Sequence, residues 1–277
     1  MKALIKIGGS LLDDAASRHD LAGQISALDV HVTVVHGGGK QMTRFLEERG
    51  VKSTFVRGLR VTTEETIDAV MKVLAGSVNT QLVAALGSAG AHAVGLTGID
   101  SGVAIAEQLD PELGFVGRVT SSNPALLDTL TNAGYMPVVA CVAGGANGEV
   151  FNVNGDSMAV AVASAWKADR LVFLTDVPGV LDASKAILPV LTIEDCQKLI
   201  ADGIATGGMQ AKLEAAMNAV SNGVAEVRIV RGSDPDIVSR VFAGETTGTQ
   251  IIGGASFSLR RDLASRPLAR PPGGDQS

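Results

Sequence analysis

Ala3-Leu4-Ile5-Lys6-Ile7 runs straight into Gly8-Gly9-Ser10 and resumes with Leu11-Leu12. The first five residues form a short apolar, β-branched run, which reads as a strand buried in a parallel sheet. The glycine pair that ends it reads as a turn. Lys6 is out of place in such a run, because an amine inside a sheet costs several kcal/mol without a negative partner. Two readings stand. Lys6 lies on an edge strand and snorkels to water, or it emerges at the carboxyl edge of the sheet, where open α/β folds bind ligands.

One crossover further on, the pattern repeats. Residues 14–28 have helical periodicity, and residues 30–35 read as a second strand, ending in His36-Gly37-Gly38-Gly39-Lys40. A helix over 41–49 follows, with Met42, Phe45 and Leu46 on its apolar face. Strand, glycine cluster and helix make an anion nest, in which backbone N–H groups converge and the helix start adds its dipole. The spacing matches neither GxxxxGK[ST] nor GxGxxG, so neither a Walker loop nor a dinucleotide fold is indicated. A mobile turn is the plain alternative, but two such turns in one β-α-β unit open on the same sheet edge. His36 reads as a hydrogen-bonded strand-end histidine in preference to a general base.

The chain has 277 residues, 46% of them hydrophobic, 33 of them glycine and only 3% aromatic, a composition suited to a parallel sheet covered by helices. A formal charge of −6 argues against a nucleic-acid partner, while leaving room for a local anion site. Cys141 and Cys196 have no metal-ligand spacing and read as structural thiols of a reducing compartment. With Met1-Lys2 leading straight into a strand, no signal peptide is expected, and no apolar stretch reads as long enough to span a bilayer. A cytoplasmic protein without a membrane partner is expected.

Further along, Arg57-Gly58-Leu59-Arg60 places two arginines beside a glycine, suited to a carboxylate or phosphoryl group or to pairing with Glu64 or Glu65. A helix over 63–86 follows, capped by Thr62 or Thr63, its apolar stripe interrupted at Asn79-Thr80-Gln81. Residues 103–107 and 114–119 read as a hairpin-like pair. Val150 to Asp156 has period-two spacing that sets Asn152 and Asn154 on one face, and Asp156 opens a helix to Trp166. An aspartate there is commonly a cap, yet two amides and a carboxylate between apolar segments need partners. The α/β pattern then restarts with a strand over 170–175, a capped helix from Thr192, and Gly207-Gly208-Met209-Gln210-Ala211-Lys212 leading into a helix. Lys212 sits near the unfavourable end for a cation, which an anion there would offset. Strands over 225–231 and 248–252 close the pattern, and residues 255–277 read as a disordered tail.

The inventory is two glycine nests, two lysines beside glycine turns, an arginine pair and one amide-and-acid cluster. Phosphoryl transfer fits it, because catalysis of that reaction is mostly positioning plus fixed positive charge and N–H donors. A carboxylate acceptor would need no general base.

The same residues carry a resemblance to the amino-acid kinase family. Its markers are Lys6-Ile-Gly8-Gly9-Ser10, Val35-His36-Gly37-Gly38-Gly39, Gly58-Leu59-Arg60-Val61-Thr62, Phe151-Asn152-Val153-Asn154-Gly155-Asp156, Leu174-Thr175-Asp176-Val-Pro-Gly179-Val180 and Gly207 to Lys212. The resemblance implies an open αβα sandwich with a mainly parallel sheet. Residues 1–165 would form the lobe for an acyl amino acid and for dimerisation, and 166–254 the ATP lobe. Lys6 and Lys212 would stabilise the transferring phosphoryl group, Asp156 would hold both, and Gly8, Gly9 and Gly39 would line its path. Gly37, Gly38, Arg60, Asn152 and Asn154 would meet the acceptor. Thr175, Asp176, Gly179, Val180, Leu181, Gly207, Gly208 and Met209 would border the nucleotide. The implied substrates are ATP, with Mg2+ accompanying it and no resident metal, and an N-acylated acidic amino acid. N-acetyl-L-glutamate leads, with N-acetyl-aminoadipate and N-succinylglutamate as alternatives, and a non-catalytic sensor is the reading of a different class. A first strand starting at residue 3 leads to the expectation of a homodimer without arginine feedback.

Overall fold

The opening run forms β1 (Lys2–Ile7), paired in parallel with β2 (His31–His36). The structure, a computed structural model, describes residues 1–253; the expected tail lies outside them. Between the two strands runs α1 (Ala15–Ser26), capped by the Asp14 carboxylate, which accepts from the Ser17 N–H. After β2 the glycines lead into α2 (Gly39–Glu47), so the helix starts inside the glycine cluster and not at residue 41. A short hairpin of β3 (Phe55–Val56) and β4 (Leu59–Arg60) turns through Arg57 and Gly58, with φ of 50° and 78°.

The hairpin leads into one helix of 25 residues, in which α3 (Glu64–Val70) and α4 (Asn79–Ser88) are joined by the π-helical Met71–Val78. Thr63 caps it by accepting from the Thr66 N–H. By length and apolar composition this helix could cross a bilayer, which corrects the expectation that no stretch is long enough. Val70, Leu74, Val78, Leu82 and Leu86 are buried on it against Ile5, Val34 and Val138, so much of its apolar surface is committed to the sheet.

Then come β5 (Ala93–Thr97), the antiparallel pair β6 (Ile105–Gln108) and β7 (Val116–Ser121), α5 (Ala125–Asn132), β8 (Met136–Ala140), β9 (Val142–Gly144) and β10 (Val150–Val153). β6, β7, β9 and β10 close into a small four-stranded barrel, an addition to the expected sandwich. The second half runs α6 (Gly155–Trp166), β11 (Arg170–Thr175), β12 (Val190–Thr192), α7 (Ile193–Ala201), α8 (Gly207–Ser221), β13 (Glu226–Arg231), α9 (Ile237–Phe242) and β14 (Thr249–Ile252). Thr192 and Asp195 form a capping box at α7.

The main sheet has the order β12-β14-β13-β11-β1-β2-β8-β5, parallel throughout except between β13 and β14. It crosses the expected lobe boundary unbroken, since β1 pairs with β11. The strand order reverses at β1, and Ile7 is level with both His36 and Leu174, so three strands end together at this switch point. Ligands of open α/β sheets bind there. Strand alternation sorts the two core layers: Ile5 and Ile7 pack with Leu21, Leu46 and Leu82, and Leu4 packs with Trp166 and Leu213. Lys6 shares the face of Leu4, the face covered by α6 and α8.

Candidate active site

Lys6 reaches the carboxyl edge of that face and finds Asp156. Its Nζ lies 2.7 Å from Asp156 Oδ1 as an ion pair outside hydrogen-bond geometry. Lys212 Nζ, from α8, donates to Asp156 Oδ2 at 2.8 Å. All three side chains are largely buried, at 11%, 13% and 21% exposure for Lys6, Asp156 and Lys212. Burial pushes the Asp156 pKa up, but the charges of Lys6 and Lys212 outweigh it and hold the carboxyl below its ordinary value. Asp156 is not the helix cap: the Asn154 side chain accepts from the N–H groups of Asp156 and Ser157, which frees the carboxylate for the lysines.

The two glycine turns touch beside this triad. A Cβ on Gly9 would lie 2.9 Å from Gly39 N and 3.0 Å from Gly38 Cα, so no side chain fits where the backbones meet. Gly38, at the start of α2, is closed off by Leu74. The Gly8 N–H is taken by the Leu174 carbonyl at 3.1 Å and the Gly37 N–H by the Ile7 carbonyl at 3.3 Å. A cavity of ≈ 170 Å³ opens next to the turns, lined among others by Gly37, Gly38, Gly39, Arg60, Asn152 and Asn154. A larger cavity of ≈ 360 Å³, between α2 and α3, meets none of the glycine turns.

Of the two arginines only Arg60 lines the cleft. It donates to the Gly39 carbonyl at 3.1 Å and Thr43 Oγ1 at 2.7 Å, contacts Ser53 Oγ, and lies under the Phe55 ring. Burial lowers its pKa against the pull of Glu47. Arg57 points away and pairs with Asp110 at 3.1 Å, so neither arginine is bound to Glu64 or Glu65. Asn152 donates to Thr62 Oγ1 at 3.1 Å, and Asn154 is engaged by its cap, so its side chain serves the helix.

On the other side of the triad, Thr175 ends β11 and Asp176 follows it, and the Asp176 carboxylate accepts from Ser10 of the first glycine turn. Val180 donates to Thr249 Oγ1 at 2.8 Å, and a Cβ on Gly179 would lie 2.8 Å from that same oxygen. Leu181 bridges to Ile187. Gly207, Gly208 and Met209 form the first turn of α8, whose start has no side-chain cap and so offers N–H groups to an anion. The donor set does not suit a resident metal: both Asp156 oxygens face amines, and no cluster of three His, Cys, Asp or Glu side chains gathers among the described residues.

Two groups here were legible only in outline. His36 is fully buried and bonded to Asn79, a contact signalled by no more than the polar break in a helical stripe. Cys141 lines the cavity and donates to the His36 carbonyl at 3.0 Å, and burial pushes its thiol up to about 12, against the thiolate form that a nucleophile needs.

A parallel α/β sheet with paired cations and glycine turns at its switch point defines a protein that handles a phosphorylated ligand. The model of the amino acid kinase family matches residues 1–231, and the chain belongs to that family. Over 255 residues it is 61% identical to the acetylglutamate kinase of Solibacter usitatus, covering 91% of this chain and 99% of that one. It is 47% identical over 236 residues to the acetylglutamate kinase of Methanopyrus kandleri, covering 82% and 93%. Among solved structures, smu.665 from Streptococcus mutans superposes with a TM-score of 0.78 at 30% identity, covering 91% of this chain and 98% of that one. Carbamate kinase from Giardia lamblia shares the fold, with a TM-score of 0.69 at 15% identity and coverage of 91% and 98%. The chain is accordingly an ATP-dependent phosphotransferase of amino-acid biosynthesis.

Proposed function

We propose that the chain transfers the γ-phosphoryl group of ATP to the γ-carboxylate of N-acetyl-L-glutamate, giving N-acetyl-L-glutamyl 5-phosphate in arginine biosynthesis. The observation that carries this reading is the pair of lysines on one carboxylate, set between an acceptor-sized cleft and the uncapped start of α8. A phosphoryl group in flight spreads negative charge over its oxygens, and two amines fixed on one carboxylate stabilise that charge. The acceptor carboxylate is already a nucleophile, so Asp156 orients amines and abstracts no proton. Arg60 binds the acceptor's α-carboxylate, and magnesium arrives on the nucleotide as part of that substrate. Relatives named acetylglutamate kinase at 61% and 47% identity support the choice of acceptor. The assembly is proposed to be a homodimer.

Hydroxylamine trapping of the acyl phosphate tests the reading. With ATP and magnesium, N-acetyl-L-glutamate is expected to give the highest kcat/KM. A higher value for N-acetyl-aminoadipate or N-succinylglutamate would move the acceptor, and no acyl phosphate from any of them would leave a sensor.

A further inference from the structure

The peptide between Gly37 and Gly38 is held by a buried relay that begins on the long helix. His36 Nδ1 lies 2.9 Å from the Gly37 carbonyl oxygen. Across the ring, Nε2 lies 3.0 Å from Asn79 Nδ2. That same Asn79 nitrogen is 2.9 Å from the Val138 carbonyl and 3.4 Å from the Leu96 carbonyl. Two carbonyl oxygens at one end of an amide require that end to be the NH2, since an amide oxygen there would face both of them, acceptor against acceptor. The ring nitrogen it meets must then accept. The single imidazole proton therefore sits on Nδ1 and is donated to Gly37. Burial lowers the His36 pKa to about 4, so the ring stays neutral at neutral pH.

A trans peptide sets its C=O and N–H on opposite sides. With the Gly37 oxygen tied to the imidazole, the Gly38 N–H is turned away from His36. Gly9 approaches this nitrogen closely, for a Cβ on Gly9 would lie 3.1 Å from it. The Gly38 N–H donates to no acceptor among the described residues. Leu74 and Val78 of the π-helical segment close on Gly38 Cα, and Asn79 follows directly after them. Gly95 of β5 leaves the space that the Asn79 side chain fills.

We propose that Asn79 and His36 are positioning residues for phosphoryl transfer, fixing the Gly37–Gly38 peptide so that the Gly38 N–H faces the transferring group. This rests on the kinase reading above. Neither side chain touches substrate; both act through Gly38.

Asn79→Ala and His36→Leu are each expected to lower kcat about 100-fold, the effect of losing or misplacing one N–H donor. KM for ATP and for N-acetyl-L-glutamate should stay within about threefold, because the donor acts on the transition state. His36→Asn keeps an N–H donor near the Nδ1 position and is expected to recover at least about tenfold of the loss. A purely structural role would move Tm and kcat of the Leu and Asn variants together, and that result would overturn the proposal. The 15N NMR spectrum of the wild-type chain reads the relay without turnover, with a protonated Nδ1 and a bare Nε2 expected for His36. A proton on Nε2, or an Asn79→Ala kcat within about twofold of wild type, would also overturn it. If the wild type forms no acyl phosphate while His36 carries its proton on Nδ1, the kinase reading fails and the positioning role with it. A wrong tautomer in an active enzyme fails the relay alone.

Discussion

Asp156 offers one carboxylate oxygen to each of two lysines, Lys6 at 2.7 Å and Lys212 at 2.8 Å. The three residues come from β1, α6 and α8, elements far apart in the chain that meet on one face of the sheet. Each amine alone would be an unpaired cation near a helix start, where the dipole opposes it. Sharing one anion makes both tolerable and leaves the group of three with a net positive charge.

Asp156→Asn removes that anion and leaves two largely buried amines unpaired. The variant is expected to lose roughly 3 kcal/mol of stability, as breaking a buried pair does, together with most of its turnover. The acid dependence carries a definite sign. Because the folded pKa of Asp156 is lowered, its stabilisation is complete above the unfolded value of about 3.9 and fades as pH falls through the folded value. Denaturant titrations at neutral and acid pH should therefore show the gap between wild type and variant narrowing at acid pH. A constant gap would assign the stability to packing.

Gly9→Ala puts a methyl group against the backbone of Gly38 and Gly39, which cannot give way as a side-chain end can. The two glycine turns must separate, at a cost of roughly 1–3 kcal/mol. Thermal unfolding and kcat should both fall. A variant with wild-type turnover would mean that the contact between the turns is dispensable.

Arg60→Ala is expected to raise KM for the acyl amino acid at least about tenfold and leave KM for ATP within about twofold, since a charged hydrogen-bonding group is lost from one substrate only. The side chain also braces Gly39 and Thr43, so Arg60→Lys, which keeps charge without the planar fork, should recover part of the affinity at most. A raised KM for ATP alone would place Arg60 on the nucleotide side.

The sheet was readable because β1 and β2 are apolar runs that end in glycine and β11 repeats the apolar run, and Lys6 stood out against its own strand. Asp156 and Lys212 were marked by their places at helix starts. Other features left weaker traces. β12 spans three residues and α9 six, too short for periodicity to declare itself. The small barrel depends on pairings such as β7 with β10, distant in sequence and without a local signature. The Asn154 cap and the Asp156 ion pairs compete for one short polar run, and only their placement in space decides which residue does what. Arg57 and Arg60 look alike in sequence, but the tight turn between β3 and β4 sends one to Asp110 and the other into the cleft.

The most direct test of the central claim is to measure kcat and nucleotide Kd for Lys6→Ala, Lys212→Ala and the double variant. If both amines act on the phosphoryl group in flight, each single change should lower kcat by about 100-fold or more with Kd within about threefold. The double variant should fall short of the product of the two losses, because the amines act as a unit through Asp156. Equal losses in Kd and kcat would contradict the account, making the lysines anchors for bound nucleotide and leaving the transition state without its cations.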